Sequence, residues 1–215
     1  MLTTAWEDLD PGARTALEEA FKAWRAGGLP CGSAVVDASG AVLARGRNHA
    51  YDPPTGSDIL EGTPLAHAEM NAIARLDTAR DLSTDVLWST QQPCAMCSAA
   101  IEFCGLGPTR FLAADPAFLA GDDPRAGVVA DPTVEHPELT SWALLANALF
   151  LQAAIARGNH ERIERNESHE PETVALARQV AAVNDPPDLR ALLDHLGPLD
   201  DLATRRLDRL RRLAG

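Results

Sequence analysis

From Pro11 onward, apolar residues recur at helical spacing, at Ala13, Ala16, Leu17, Ala20, Phe21 and Trp24, until Gly27-Gly28 ends the run. This predicts a first amphipathic helix. Ser33 to Asp37 and Ala41 to Arg47 read as short strands, and Asp37-Ala38-Ser39-Gly40 between them has hairpin turn chemistry. Residues 49–63 hold Pro53, Pro54, Gly56 and Gly62 and read as a loop. A loop of that length is more often a lid or binding rim than filler. There follow a helix from Pro64 to Arg80, a buried strand Val86 to Thr90, a helix from Cys94 to Phe103 and a strand Arg110 to Ala114. Alternating helix and strand predict an α/β layered domain with a central sheet. Residues 115–138 are rich in Asp, Pro and Gly, with Gly127 to Ala130 as a short final strand. Trp142 to Arg157 is a strongly apolar helix that Gly158 stops. Three amphipathic segments come after it: Pro171 to Val183, Asp188 to Leu196, and Leu199 to Leu213. Leu189, Leu192, Leu193 and Leu196 form a buried stripe in the second. The division expected is a main domain over 1–158 and a helical extension over 159–215.

Composition narrows the class. Of 215 residues, 46% are hydrophobic and 23% charged, as expected of a soluble globular chain. No apolar run is long enough to span a bilayer, and residues 1–25 carry Glu7, Asp8, Glu18 and Glu19 without a signal-like apolar segment. A cytoplasmic address and no membrane partner are the expectation. The net charge is -12. Residues 1–160 hold 10 basic against 20 acidic side chains, and residues 161–215 hold 9 against 11. A nucleic-acid binder needs a basic footprint to meet phosphate charge. This chain lacks one, which favours a small-molecule substrate over RNA or DNA.

The chemistry lies between His67-Ala68-Glu69 and Pro93-Cys94-Ala95-Met96-Cys97. One imidazole and two thiolates supply three ligands to a tetrahedral Zn2+, which leaves the fourth position for water or substrate. Cys94 and Cys97, three apart, share one helix face. Pro93 suits a helix start, and a helix N-terminus favours the thiolate that binds metal. His67 and Glu69, two apart, can share a site only if the metal sits end-on at a first helical turn. Thr63 and Pro64 are the expected cap and first position of that helix. Cys31 and Cys104 read as small core residues.

Together these residues carry a resemblance. His-Ala-Glu followed by Pro-Cys-Ala-Met-Cys resembles the cytidine deaminase superfamily, whose H-x-E and P-C-x-x-C signature belongs to zinc deaminases of nucleobases. The runs Ala68 to Ile73 and Leu87 to Thr90 are also similar to that family, and the resemblance spans roughly residues 10–157. It implies a three-layer α/β/α fold with a central mixed sheet, to which the helical extension is added. It also implies hydrolytic deamination of a nucleobase, nucleoside or related aminated heterocycle, guanine- or cytosine-type, by hydroxide from a zinc-bound water. Glu69, beside the metal but not bound to it, would be the catalytic acid and base. Asn48 looks like the asparagine with which related deaminases hold the base, and Asp115 like a substrate-contacting aspartate of the guanine and tRNA adenosine deaminases. The backbone of Ala68 is expected to face the substrate, and Phe118 to stack on it. A homodimer is implied as well.

Other readings compete. A tRNA adenosine deaminase shares the motif but fits poorly with the acidic charge. A structural zinc module usually closes its tetrahedron with a fourth Cys or His, and none stands at a motif position. A CxxC thiol oxidoreductase leaves His-Ala-Glu unexplained. His49, His136, His160, His169 and His195 read as surface or loop residues, and Trp88 as core. Arg205, Arg206, Arg209, Arg211 and Arg212 read as the solvated face of the last helix.

Overall fold

The computed structural model describes residues 4–56, 58–115, 140–183 and 185–214. After a 3-10 turn at Trp6–Asp8, helix α1 spans Pro11–Arg25, capped by the Asp10 carboxylate accepting from the Gly12 N–H at 2.8 Å. Strands β1 (Gly32–Val36) and β2 (Val42–Arg47) form the hairpin, whose turn is held by Asp37 Oδ1 accepting from the Ser39 and Ala41 N–H groups. Then come α2 (Ala68–Ile73), β3 (Val86–Gln91), α3 (Ala95–Phe103) and β4 (Thr109–Ala113). The strands form one sheet in the order β2-β1-β3-β4. β1 runs antiparallel to both β2 and β3, while β3 and β4 are parallel. The sheet is therefore mixed.

Strand alternation sorts the two faces. Val36, Trp88 and Leu112 pack with α1 and the C-terminal helices, whereas Val35, Ala44 and Leu87 pack with Ala72 of α2 and Ile101 of α3. Helices thus cover both sides of the sheet, giving the three α/β/α layers. Trp88 is core, as expected. α2 is much shorter than the helix anticipated from Pro64 to Arg80. Thr63 donates its hydroxyl to Leu60 O rather than capping, and Asp77 accepts from the Ala79 N–H in a local turn that competes with helix.

Beyond the sheet lie α4 (Thr140–Ala156), α5 (His160–His169), α6 (Pro171–Val180), α7 (Leu189–Leu196) and α8 (Asp200–Ala214). Three match the amphipathic segments read from sequence, but α5 was not anticipated. It has one apolar residue, Ile163, so no stripe announced it; the Asn159 side chain caps it, accepting from the Arg162 N–H. α4 is sheathed all round, with Ser141 to Leu149 buried without a break. Arg206 corrects the solvated-face reading of α8: it is fully buried and pairs with Glu170, which also accepts from Asn147 at 3.0 Å and Thr173 at 3.1 Å. A buried charge needs such partners. The expected strand Gly127 to Ala130 and residues Phe118 and His136 lie outside the described residues. Among the described residues, no helix is long and apolar enough to cross a membrane.

Candidate active site

Two helix starts meet at one point. His67 is the N-cap of α2 and Cys94 the N-cap of α3, both with extended backbone, so their side chains project past the helix ends. Cys97 follows in the first turn of α3. Pro93 thus precedes the cap instead of opening the helix. Close packing sets α2 in place: a Cβ on Gly46 of β2 would stand 2.4 Å from Ala68 O and 2.5 Å from Ala72 N, so only glycine admits the helix here. Asn71 Nδ2 donates to Arg47 O at 2.9 Å and Ala66 O at 3.2 Å, fastening the helix to the loop that delivers His67.

Cys94 Sγ lies 3.6 Å from both His67 Nδ1 and Cys97 Sγ, and Cys97 Sγ lies 3.5 Å from the same nitrogen. Tetrahedral zinc with thiolate and imidazole ligands places its donor atoms about 3.5–3.8 Å apart, so the three atoms fit such an ion. Without metal, hydrogen bonds from Cys97 and His67 pull the Cys94 thiol down to about 3, and the Cys94 partnership raises His67. Cys97 is pushed far up by its bond to Cys94 and by burial.

Glu69 is buried beside this cluster. One oxygen accepts from the Ser89 hydroxyl at 3.0 Å; the other lies 3.4 Å from Cys97 Sγ. Burial raises its pKa above the usual carboxylate value. That suits a group that must both accept and release a proton near neutral pH.

A cavity of about 310 Å³ opens on the cluster, lined by His67, Glu69 and Cys94 together with Asn48 and Asp115. The structure therefore brings two of the four substrate-contact candidates, Asn48 and Asp115, to the same space. Asn48 is buried and its Oδ1 accepts from the Ala50 N–H at 3.0 Å. Ala68 is fully buried, and it is not one of the residues that line the cavity. Cys31 also lines the cavity, as do Gln91, Gln92, Asn147, Phe150, Arg162 and Asn166, which sequence reasoning did not single out. Cys31 is thus a wall residue as well as a buried one, and Cys104, the C-cap of α3, is only half-buried. Arg162 and Asn166 share one face of α5 at i,i+4 spacing, but only the tertiary fold reveals which face meets the cavity. His49 is half-buried, its Nδ1 3.2 Å from Asp52.

Residues 8–112 match the family described as the cytidine and deoxycytidylate deaminase zinc-binding region. Two curated relatives are similar: a cytosine deaminase of Candida albicans, 28% identical over 96 residues (44% of this chain, 59% of the relative), and a probable cytosine deaminase of Schizosaccharomyces pombe, 32% identical over 94 residues (43% and 52%). The chain thus spans little more than half the length of the curated relatives it matches. The solved structure of guanine deaminase from Bacillus subtilis is 29% identical, with a TM-score of 0.39, covering 47% of this chain and 62% of that one.

Proposed function

We propose that this chain, which belongs to the cytidine deaminase superfamily, is a zinc-dependent hydrolytic deaminase of a nucleobase, nucleoside or related aminated heterocycle of guanine or cytosine type. The observation that carries this reading is the convergence of His67, Cys94 and Cys97 at zinc-ligand spacing, with a buried carboxylate from Glu69 alongside and an open cavity in front. When bound, zinc lowers the pKa of a coordinated water to about 7, which makes hydroxide available near neutral pH. Those three side chains would hold the metal and leave one coordination position toward the cavity.

Net reaction exchanges the exocyclic C–NH2 of the ring for a carbonyl, consuming water and releasing ammonia. Glu69 takes a proton from the attacking water, passes it to the adjacent ring nitrogen, and carries the next one to the departing amine. Its hydrogen bond from Ser89 fixes one oxygen, and the other, beside Cys97, serves this shuttle. Asn48 and Asp115, which line the cavity, hold the ring. The cavity, a few hundred Å³, is the size of small-molecule sites. With the charge of -12, that supports a small substrate in preference to a nucleic acid. Phe118 is assigned the role of stacking on the ring. Large apolar side chains exposed at Ile59, Leu65 and Phe103 support the homodimer, to be checked by light scattering.

An ammonia-release screen of the zinc-loaded protein across bases, nucleosides and nucleotides tests this reading. Glu69→Gln is expected to retain stoichiometric zinc while turnover falls by roughly 10²–10⁴-fold. Full activity in that variant, or ammonia from no ring in the wild type, sinks the assignment.

A further inference from the structure

Gln92 follows β3 directly, is only 7% exposed, and lines the cavity. Its Oε1 accepts from the Asp115 N–H at 3.0 Å. Because a backbone N–H can only donate, this bond fixes the amide orientation and leaves Nε2 as the donor end of the amide. That Nε2 is buried and has no hydrogen-bond partner among the described residues, and the same holds for Nε2 of its neighbour Gln91. Buried amide donors without acceptors are destabilising and rare in native proteins, so two on one wall of a binding cavity call for a ligand. The other carboxamides of the wall differ. Asn147 donates to Glu170 and Asn166 to Arg162 O, both within the protein. Arg162, held 5.1 Å over the Phe150 ring and 3.9 Å from Asp115, adds positive charge to the same cavity.

We propose that Gln92 is a specificity-determining residue whose Nε2 donates to a carbonyl oxygen of the substrate, so that the cavity selects oxo-substituted rings over the same rings bearing an amino group in that place. This rests on the deaminase reading above and narrows its substrate class. A donor facing an oxo group gains a hydrogen bond. Facing an amino group it leaves two donors unpaired in a buried site, a mismatch that binding sites reject strongly.

The test compares cytosine with 2,4-diaminopyrimidine and guanine with 2,6-diaminopurine, using zinc-loaded wild type, Gln92→Met and Gln92→Glu. Equilibrium binding is measured by calorimetry and ammonia release in parallel, with zinc content and melting temperature recorded for each variant. Wild type should bind one oxo compound at least about tenfold more tightly than its amino counterpart, which corresponds to about one hydrogen bond. Gln92→Met should bring that ratio close to one. Gln92→Glu, which still accepts from Asp115 N–H but offers the cavity an acceptor, should reverse it. A ratio unmoved in both variants, or equal losses for both members of a pair, overturns the assignment of Gln92 and leaves the deaminase reading standing if ammonia is released. Oxo selectivity that depends on Gln92 without any ammonia does the opposite. Binding of none of the four compounds by the zinc-loaded wild type overturns both.

Discussion

Three donor atoms within 3.6 Å of each other, brought together from two helix ends, form a ready-made seat for a cation. Because the seat exists only in the folded chain, metal binding couples the site to folding. Chelation of bound zinc is therefore expected to lower the melting temperature on the order of 10 °C, taking about 4 kcal/mol for a ligand present at a thousandfold its dissociation constant. Cys94→Ala should abolish both the zinc and its contribution, as read by metal analysis and calorimetry. An unchanged melting temperature after chelation contradicts the coupling. At this scale the sequence was highly informative. The spacing of His67, Glu69, Cys94 and Cys97 foretold their grouping at two helix ends, because helix-end geometry is a local property. Gln92 and Gln91 carried no such signal; their meaning comes from what does not face them.

Helix ends, more than helix lengths, position the site. α2 has only six residues, yet its N-terminus is fixed by the close approach to Gly46 and by the two Asn71 hydrogen bonds. Gly46→Ala is expected to destabilise the fold by about 1–3 kcal/mol through overpacking and to weaken zinc binding as well, since the helix it displaces bears His67 and Glu69. Gly12→Ala provides the contrast. Its Cβ would meet the Trp88 ring at 2.1 Å on the opposite face of the sheet, so melting should fall while zinc affinity holds. Loss of zinc affinity in both variants would show that general loosening, not helix placement, controls the metal. Strands and long helices were legible because their apolar periods are strong. The extent of α2 and the existence of α5 were not, since turn-forming Asp77 and a tertiary-stabilised polar helix override or lack a period.

On the scale of the whole molecule, the C-terminal helices and the sheet domain share one core and one cavity. α4, α6, α7 and α8 join α1 and the sheet in a single apolar cluster, while α5 brings Arg162 and Asn166 to the cavity. Arg206 of α8 clamps Glu170 at the start of α6, and Glu170 in turn holds Asn147 of the cavity wall. Arg206→Met leaves that carboxylate buried without its cation, at an expected cost of about 3–5 kcal/mol, and adding Glu170→Gln should restore much of the loss. Denaturant titration of the single and double variants checks this; a double variant no better than the single one rules out the ion pair as the cause. The division at residue 158 follows the reach of the motif resemblance, and pairing between distant helices was invisible to it. The enveloped α4 carries a practical corollary: stopping a clone at Gly158 turns an interior rod of Ala and Leu into outer skin. Such a fragment is expected in the insoluble pellet after lysis, so any hunt for a minimal working piece has to keep the tail.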